Sequence, residues 1–169
     1  MKVYDSMGVI KFKIENNIED YDLIVIPTNR FMSPGNKFTS VIYPLMGYSL
    51  LKDYCQANSL GNMSPMDIRI TPGFNLNLEV VHVCMPSPSL EELLKTYIRI
   101  YELILKESYK NVAFFSFAGL SSYQDEDIYQ DIMKLTNKFN KTYDGEITFI
   151  FGNQEIADMY ERFYKILQW

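Results

Sequence analysis

The chain has 169 residues, one domain at the usual ~150 residues per domain, so a two-domain enzyme built around an interdomain cleft is not expected. Hydrophobic residues make up 47% and charged residues 22%, enough to bury a core and to make disorder an unsuitable default. A net charge of −5 and a pI near 4.9 exclude the basic footprint that duplex nucleic acid requires.

Val9 to Ile14 alternates apolar and charged residues and predicts a half-exposed, edge-type strand. Leu23 to Ile26 is wholly apolar, with Pro27 behind it, the pattern of a buried strand. From about Thr39 to Cys55 a helix is expected, with Ile42, Leu45, Met46, Leu50 and Tyr54 on its apolar stripe. Ile68 and Ile70 suggest a brief strand, and Val80 to Cys84 another, ended by Pro86 and Pro88. Ser89 then reads as an N-cap, with Glu91 and Glu92 in the first turn of a helix to about Glu107. Its expected stripe is Leu93, Leu94, Ile98, Tyr101 and Leu105. Asn111 to Phe117 predicts a strand entering a Gly/Ser loop. A helix from about Asp125 to Phe139, a strand Ile147 to Phe151 and a last helix to about Leu167 complete the chain. Alternating strands and helices imply crossover connections and a mostly parallel sheet covered on both faces. Ligands of such sheets bind beyond the carboxyl ends of the strands, which directs attention to Pro27 to Lys37, Ala118 to Tyr123 and Gly152-Asn153.

Several single features have plain structural explanations. Ser33-Pro34-Gly35-Asn36 lies where phosphate would sit, yet one glycine is also what an ordinary strand-to-helix turn contains, with Pro fixing φ and Gly supplying positive φ. His82, the one histidine, falls inside an apolar run and reads as a hydrogen-bonded structural ring. Cys84 shares its strand face, but a mid-strand pair packs more often than it reacts. One His and two distant Cys make a poor metal site, so neither metal nor cofactor is expected. Asp125, Glu126 and Asp127 suit an acidic helix start. Phe31, Phe74, Phe117, Tyr123 and Phe151 fall at strand ends or loops, where a ring either stacks on a nucleobase or caps the core. The two cysteines and the absence of a secretory h-region after Met1 suggest a reducing, cytoplasmic setting, and no window reaches the ~18 apolar residues of a membrane span.

Asp22 to Asn29, Asp-Leu-Ile-Val-Ile-Pro-Thr-Asn, resembles the D-x-I-V-N-A-A-N segment of the macro domain family, whose members bind ADP-ribose and in some branches remove it from proteins. Gly47 meets the glycine ending the family's following helix segment. Ile68 to Leu76 resembles its I-T-x-G-Y-x-L stretch, Val80 to Val83 its V-I-H strand, and Phe114 to Ser122 its second ligand loop with one residue deleted. The resemblance runs from about Ile10 to Tyr164 and implies one macro-like domain over 1–169. The implied fold is a three-layer α/β/α sandwich around a mixed, mostly parallel sheet of about six strands.

By position, the resemblance implies Asn29 at the distal ribose, Pro34, Gly35, Asn36 and Lys37 as the first phosphate loop, and Ala118, Gly119, Leu120 and Ser121 as the second. Phe151 would lie near the adenine, and Glu15 or Asn16 would read its amino group. The departures weaken this. Pro34 has no N–H, and Asn36 and Lys37 carry side chains where close backbone approach needs none, unless Lys37 compensates as a point charge. Thr39 stands where the hydrolytic branch has Asp, and Ile26 replaces the first Asn of N-A-A-N. Losing a general base typically removes ~10²–10⁴-fold in rate. The expected function is therefore binding of ADP-ribose or a related adenine nucleotide, with ADP-ribosylated protein as a further ligand, without strong catalysis. The alternatives are an ADP-ribosyl hydrolase with Asn29 positioning the ribose, and a ligand-free protein-interaction scaffold. Neither duplex nucleic acid nor membrane is an expected partner.

Overall fold

A computed structural model describes residues 8–14, 18, 20–85, 90–116 and 126–168. Six strands, β1 (Val9–Lys13), β2 (Leu23–Thr28), β3 (Ile68–Pro72), β4 (Glu79–Cys84), β5 (Asn111–Phe115) and β6 (Glu146–Ile150), form one sheet in the order β1-β6-β5-β2-β4-β3. Only β3 runs antiparallel, pairing with β4. Five helices complete the fold: α1 (Thr39–Met46), α2 (Tyr48–Ala57), α3 (Leu90–Lys106), α4 (Glu126–Asn140) and α5 (Gln154–Leu167).

The alternation of side chains along each strand divides the core in two. Leu23, Val25, Val81, Val112, Phe114 and Phe149 face a cluster completed by α3, α4 and α5. Ile24, Ile26, Val80, Ala113, Phe115 and Ile150 face the other side, where Phe38, Ile42, Met46, Leu51 and Cys55 cover them. The result is the three-layer α/β/α arrangement expected of uninterrupted apolar strands. β1, as its alternation predicts, lies at the sheet edge with Val9 half-exposed and Ile10 and Phe12 turned to the core.

The order of connections reverses between β2 and β5. Chain leaving β2 continues towards β3 and β4, whereas chain leaving β5 continues towards β6. The two strands pair in parallel only over Leu23–Val25, although β2 pairs with β4 through all six of its residues. At the other end Asp22 ties them, its carboxylate accepting from the N–H groups of Lys110 (3.1 Å) and Asn111 (3.2 Å).

Three expectations are corrected. Thr39 to Cys55 is two helices, because Gly47 takes φ +97°, a left-handed conformation that only glycine adopts without strain. Its N–H closes α1 onto the carbonyls of Tyr43 and Pro44. The break shifts the buried stripe from Leu50 and Tyr54 to Leu51 and Cys55 and leaves Leu45 and Leu50 exposed. In α3 the buried stripe is Leu93, Tyr97, Ile100, Tyr101 and Ile104, with Ile98 and Leu105 outside it. Tyr97 and Tyr101 set that phase, lying against Phe114 and Phe139 respectively. Strand β2 also continues through Pro27 to Thr28 instead of stopping before the proline. Ser89 and Asp125 lie outside the described residues; Glu126 and Asp127 do open α4.

Candidate functional site

β2 and β5 are neighbours running in the same direction, so the turns that follow them leave from one end of the molecule. Asn29 begins the first turn. Its Oδ1 accepts from the N–H groups of Phe31 (3.0 Å) and Ser33 (3.2 Å), and its Nδ2 donates to the Ser33 carbonyl (3.1 Å) and Oγ (3.0 Å). The side chain is committed to folding its own loop. Pro34 and Gly35 are exposed at the turn's tip. Gly35 does not take positive φ; it is needed because a Cβ there would come within 2.9 Å of Asn29 Nδ2.

Asn36 is the hub of the loop. Its Oδ1 accepts from the N–H groups of Phe38 (2.8 Å) and Thr39 (2.9 Å), and its Nδ2 donates to the Pro27 carbonyl (2.9 Å). Thr39, fully buried, returns the favour. Its Oγ1 accepts from the N–H groups of Gly35 (3.0 Å) and Asn36 (3.1 Å). This reciprocal pairing has the logic of a capping box, with threonine in the place of the acid. Two amides that the resemblance assigns to phosphate are thus held by a hydroxyl within the chain, and Thr39 is a helix-start partner.

Lys37 points across the strand ends. A Cβ at Gly152 would stand 2.6 Å from its Nζ, so the lysine stem lies directly over that glycine, above β6. Lys37 makes no ion pair among the described residues. It borders a cavity of about 280 Å³ with Glu126, Tyr129, Asn153, Glu155 and Met159. Asn153 caps α5 there, its Oδ1 accepting from the N–H groups of Glu155 and Ile156. Phe151 follows β6 and is 1% exposed, its ring packed against Phe12, Phe149 and Tyr160. As placed, it is a core residue with no free face for a base. Glu15, Asn16, Ala118, Gly119, Leu120 and Ser121 lie outside the described residues, as do Phe117 and Tyr123. Phe31 is exposed beside Arg30, and Phe74 packs edge-on against Tyr54.

His82 is structural. Completely buried, it meets Tyr43 Oη through Nδ1 (2.9 Å) and Thr71 Oγ1 through Nε2 (2.8 Å), and Tyr43 reaches on to Thr28 Oγ1 (2.8 Å). Burial holds its pKa down to about 3, so the ring is neutral at physiological pH. Both nitrogens are occupied, and burial also pushes the Cys84 thiol up, so the pair is not a nucleophile with its base. Among the described residues no group of His, Cys, Asp and Glu is arranged to hold a metal.

Sequence reasoning missed a second opening. A groove of about 500 Å³ lies between the ends of β2 and β4, bordered by Asn29, Arg30, Asn62, Met63, Ser64 and Cys84. Arg30 donates to Asn62 Oδ1 (2.7 Å) and sits 5.1 Å from the Phe31 ring centre. No periodicity marks these residues, which come from three separate segments.

No protein-family model matches the sequence, and no curated protein matches it. Solved structures do. A variant of the Oceanobacillus iheyensis macrodomain with ADPR superposes with a TM-score of 0.82 at 19% identity, covering 97% of this chain and 96% of that one. The same macrodomain with ADP gives 0.76 at 20% identity, covering 89% and 86%. The Trypanosoma brucei macrodomain in complex with ADP gives 0.76 at 20% identity, covering 92% and 68%. The fold is that of a macrodomain, carried by a sequence far diverged from these structures.

Proposed function

We propose that the chain binds ADP-ribose or a related adenine nucleotide at the fork between the ends of β2 and β5, without strong hydrolytic activity. The observation that carries the reading is the reversal of connections between these adjacent parallel strands, which sends both turns to one end of the sheet. Crevices at such reversals are where open α/β sheets take ligands. Structures of the same fold hold ADPR and ADP, which supports the ligand class. Asn29 would sit by the distal ribose, where its side chain, held by Phe31 and Ser33, fixes the loop, and Gly119 and Leu120 would supply amides to the diphosphate.

The first loop would contribute differently from a glycine-rich one. Pro34 has no N–H, and the N–H groups of Gly35 and Asn36 already donate to Thr39. Lys37 is then the loop's means of meeting a phosphate, as a point charge swung from its rest over Gly152. Affinity should be modest and salt-dependent. Calorimetry with ADP-ribose tests the proposal: saturable heat that weakens with added salt is expected, and no heat at millimolar ligand overturns it.

A scaffold with no nucleotide ligand is the second reading, favoured by the same two amides being held internally. A thermal-shift panel of ADP-ribose, AMP and NAD separates the two, since only a ligand of the folded state raises the melting temperature. Hydrolysis is the weaker reading, because Thr39 offers a buried hydroxyl already accepting two hydrogen bonds where a carboxylate base would act.

A further inference from the structure

The chain carries four arginines, and three of them converge on one short segment, Asn62 to Asp67. Arg30 donates to Asn62 Oδ1 (2.7 Å), Arg69 pairs with Asp67 (3.6 Å), and Arg99 donates to the Met66 carbonyl (2.8 Å). The segment is itself strapped down. Met63 N–H donates to the Arg30 carbonyl, Met66 N–H to the Cys84 carbonyl, and Cys84 N–H to the Asp67 carbonyl. It forms one wall of the 500 Å³ groove, which Arg30 and Ser64 line from opposite segments.

The charge balance here is the reverse of the chain's. Asp67 is the only acid that contacts these arginines among the described residues; it is shared between Arg69 and the Ser64 N–H (2.8 Å). Arg30 makes no ion pair among the described residues, and its guanidinium is held at the groove by Asn62 and by the Phe31 ring. A planar fork of donors fixed in this way is suited to two oxygens of one anion. Thr28 and Cys84 close the floor as neutral groups.

We infer that this groove is a second anion site, taking a phosphate group, free or esterified, through Arg30, Asn62 and Ser64. It lies on the β4 side of Asn29, away from the fork with β5, and does not depend on the nucleotide reading.

Titrating the isotopically labelled chain with inorganic phosphate and with phosphoserine, followed by NMR, tests it. Saturable shifts at the amides of Asn62 and Ser64 and at Arg30 Nε are expected, weaker at higher salt. Tighter binding of phosphoserine would mark an esterified ligand, and equal binding the free anion; either supports the site. Arg30→Gln, at an exposed position, should weaken binding about tenfold, the usual effect of losing a charge-assisted hydrogen bond. Lys37→Gln should leave it unchanged. Shifts confined to residues 33–38, unsaturable shifts, or full affinity in Arg30→Gln would overturn the inference. ADP-ribose titrated into the same sample reports on the fork separately, so failure of one site is distinguishable from failure of the other.

Discussion

Two polar assemblies stand at the same end of the sheet, and they are organised oppositely. The turn from Asn29 to Thr39 and the Thr28–Tyr43–His82–Thr71 chain beneath it satisfy their donors and acceptors internally. The segment from Asn62 to Asp67 instead gathers three arginines, two of which, Arg30 and Arg99, make no ion pair among the described residues. A buried group with its partners in place contributes to stability; an exposed charge without one is available to something else. Changes in the first assembly should therefore register in unfolding, and changes in the second in binding.

The largest expected effect is on the closed assembly. The folded His82 pKa lies below its unfolded value, so the unfolded chain alone takes up a proton as pH falls through about 6.5. Stability should be full above that pH and drop by about 2 kcal/mol on going to about pH 5, the loss continuing towards pH 3. Urea titrations across this range measure it, and His82→Gln should flatten the profile; an equal slope in the variant would break the assignment. Next, Asn36→Ala removes the acceptor of the Phe38 and Thr39 N–H groups at the start of α1 and the tie to Pro27, and should cost about 1–2 kcal/mol in the same experiment.

Thr39→Asp is a milder change that divides structure from chemistry. Aspartate at this position can still accept from the Asn36 N–H, so stability should stay within about 1 kcal/mol of the parent. If the missing carboxylate is what limits hydrolysis, an ADP-ribosylated protein should lose its modification faster with this variant. An unchanged substrate would place the limit elsewhere. Smallest of all, Gly152→Ala should alter stability by a few tenths of a kcal/mol, because the intruding methyl meets only the far end of a flexible lysine. Its effect should appear in the salt dependence of ADP-ribose binding.

Much of the framework was legible because it rests on period and run length. The apolar strands, the edge position of β1 and the structural role of His82 all follow from neighbours in sequence. Helical phase was less legible: one left-handed glycine resets the stripe from Leu50 to Leu51, and periodicity cannot see a φ angle. The resemblance, which placed Gly47 at a helix end, carried that information. The first loop could be located but not its hydrogen bonding. Whether Thr39 Oγ1 meets the Gly35 and Asn36 amides depends on rotamers and loop path, not on residue type. The arginine cluster was hidden for a third reason, since Arg30, Arg69 and Arg99 meet only once β2, β3 and α3 have assembled.

The short seam between β2 and β5 has a mechanical consequence. With only Leu23–Val25 in register across it and Asp22 fastening its base, the sheet consists of two three-stranded halves joined like the arms of tweezers. Such arms can spread at their tips while every ladder bond within each half stays intact. Spreading them would nonetheless pull on both side-chain clusters, each of which packs across the seam, so the width of the gap is set by the flanking layers as well as by the short ladder.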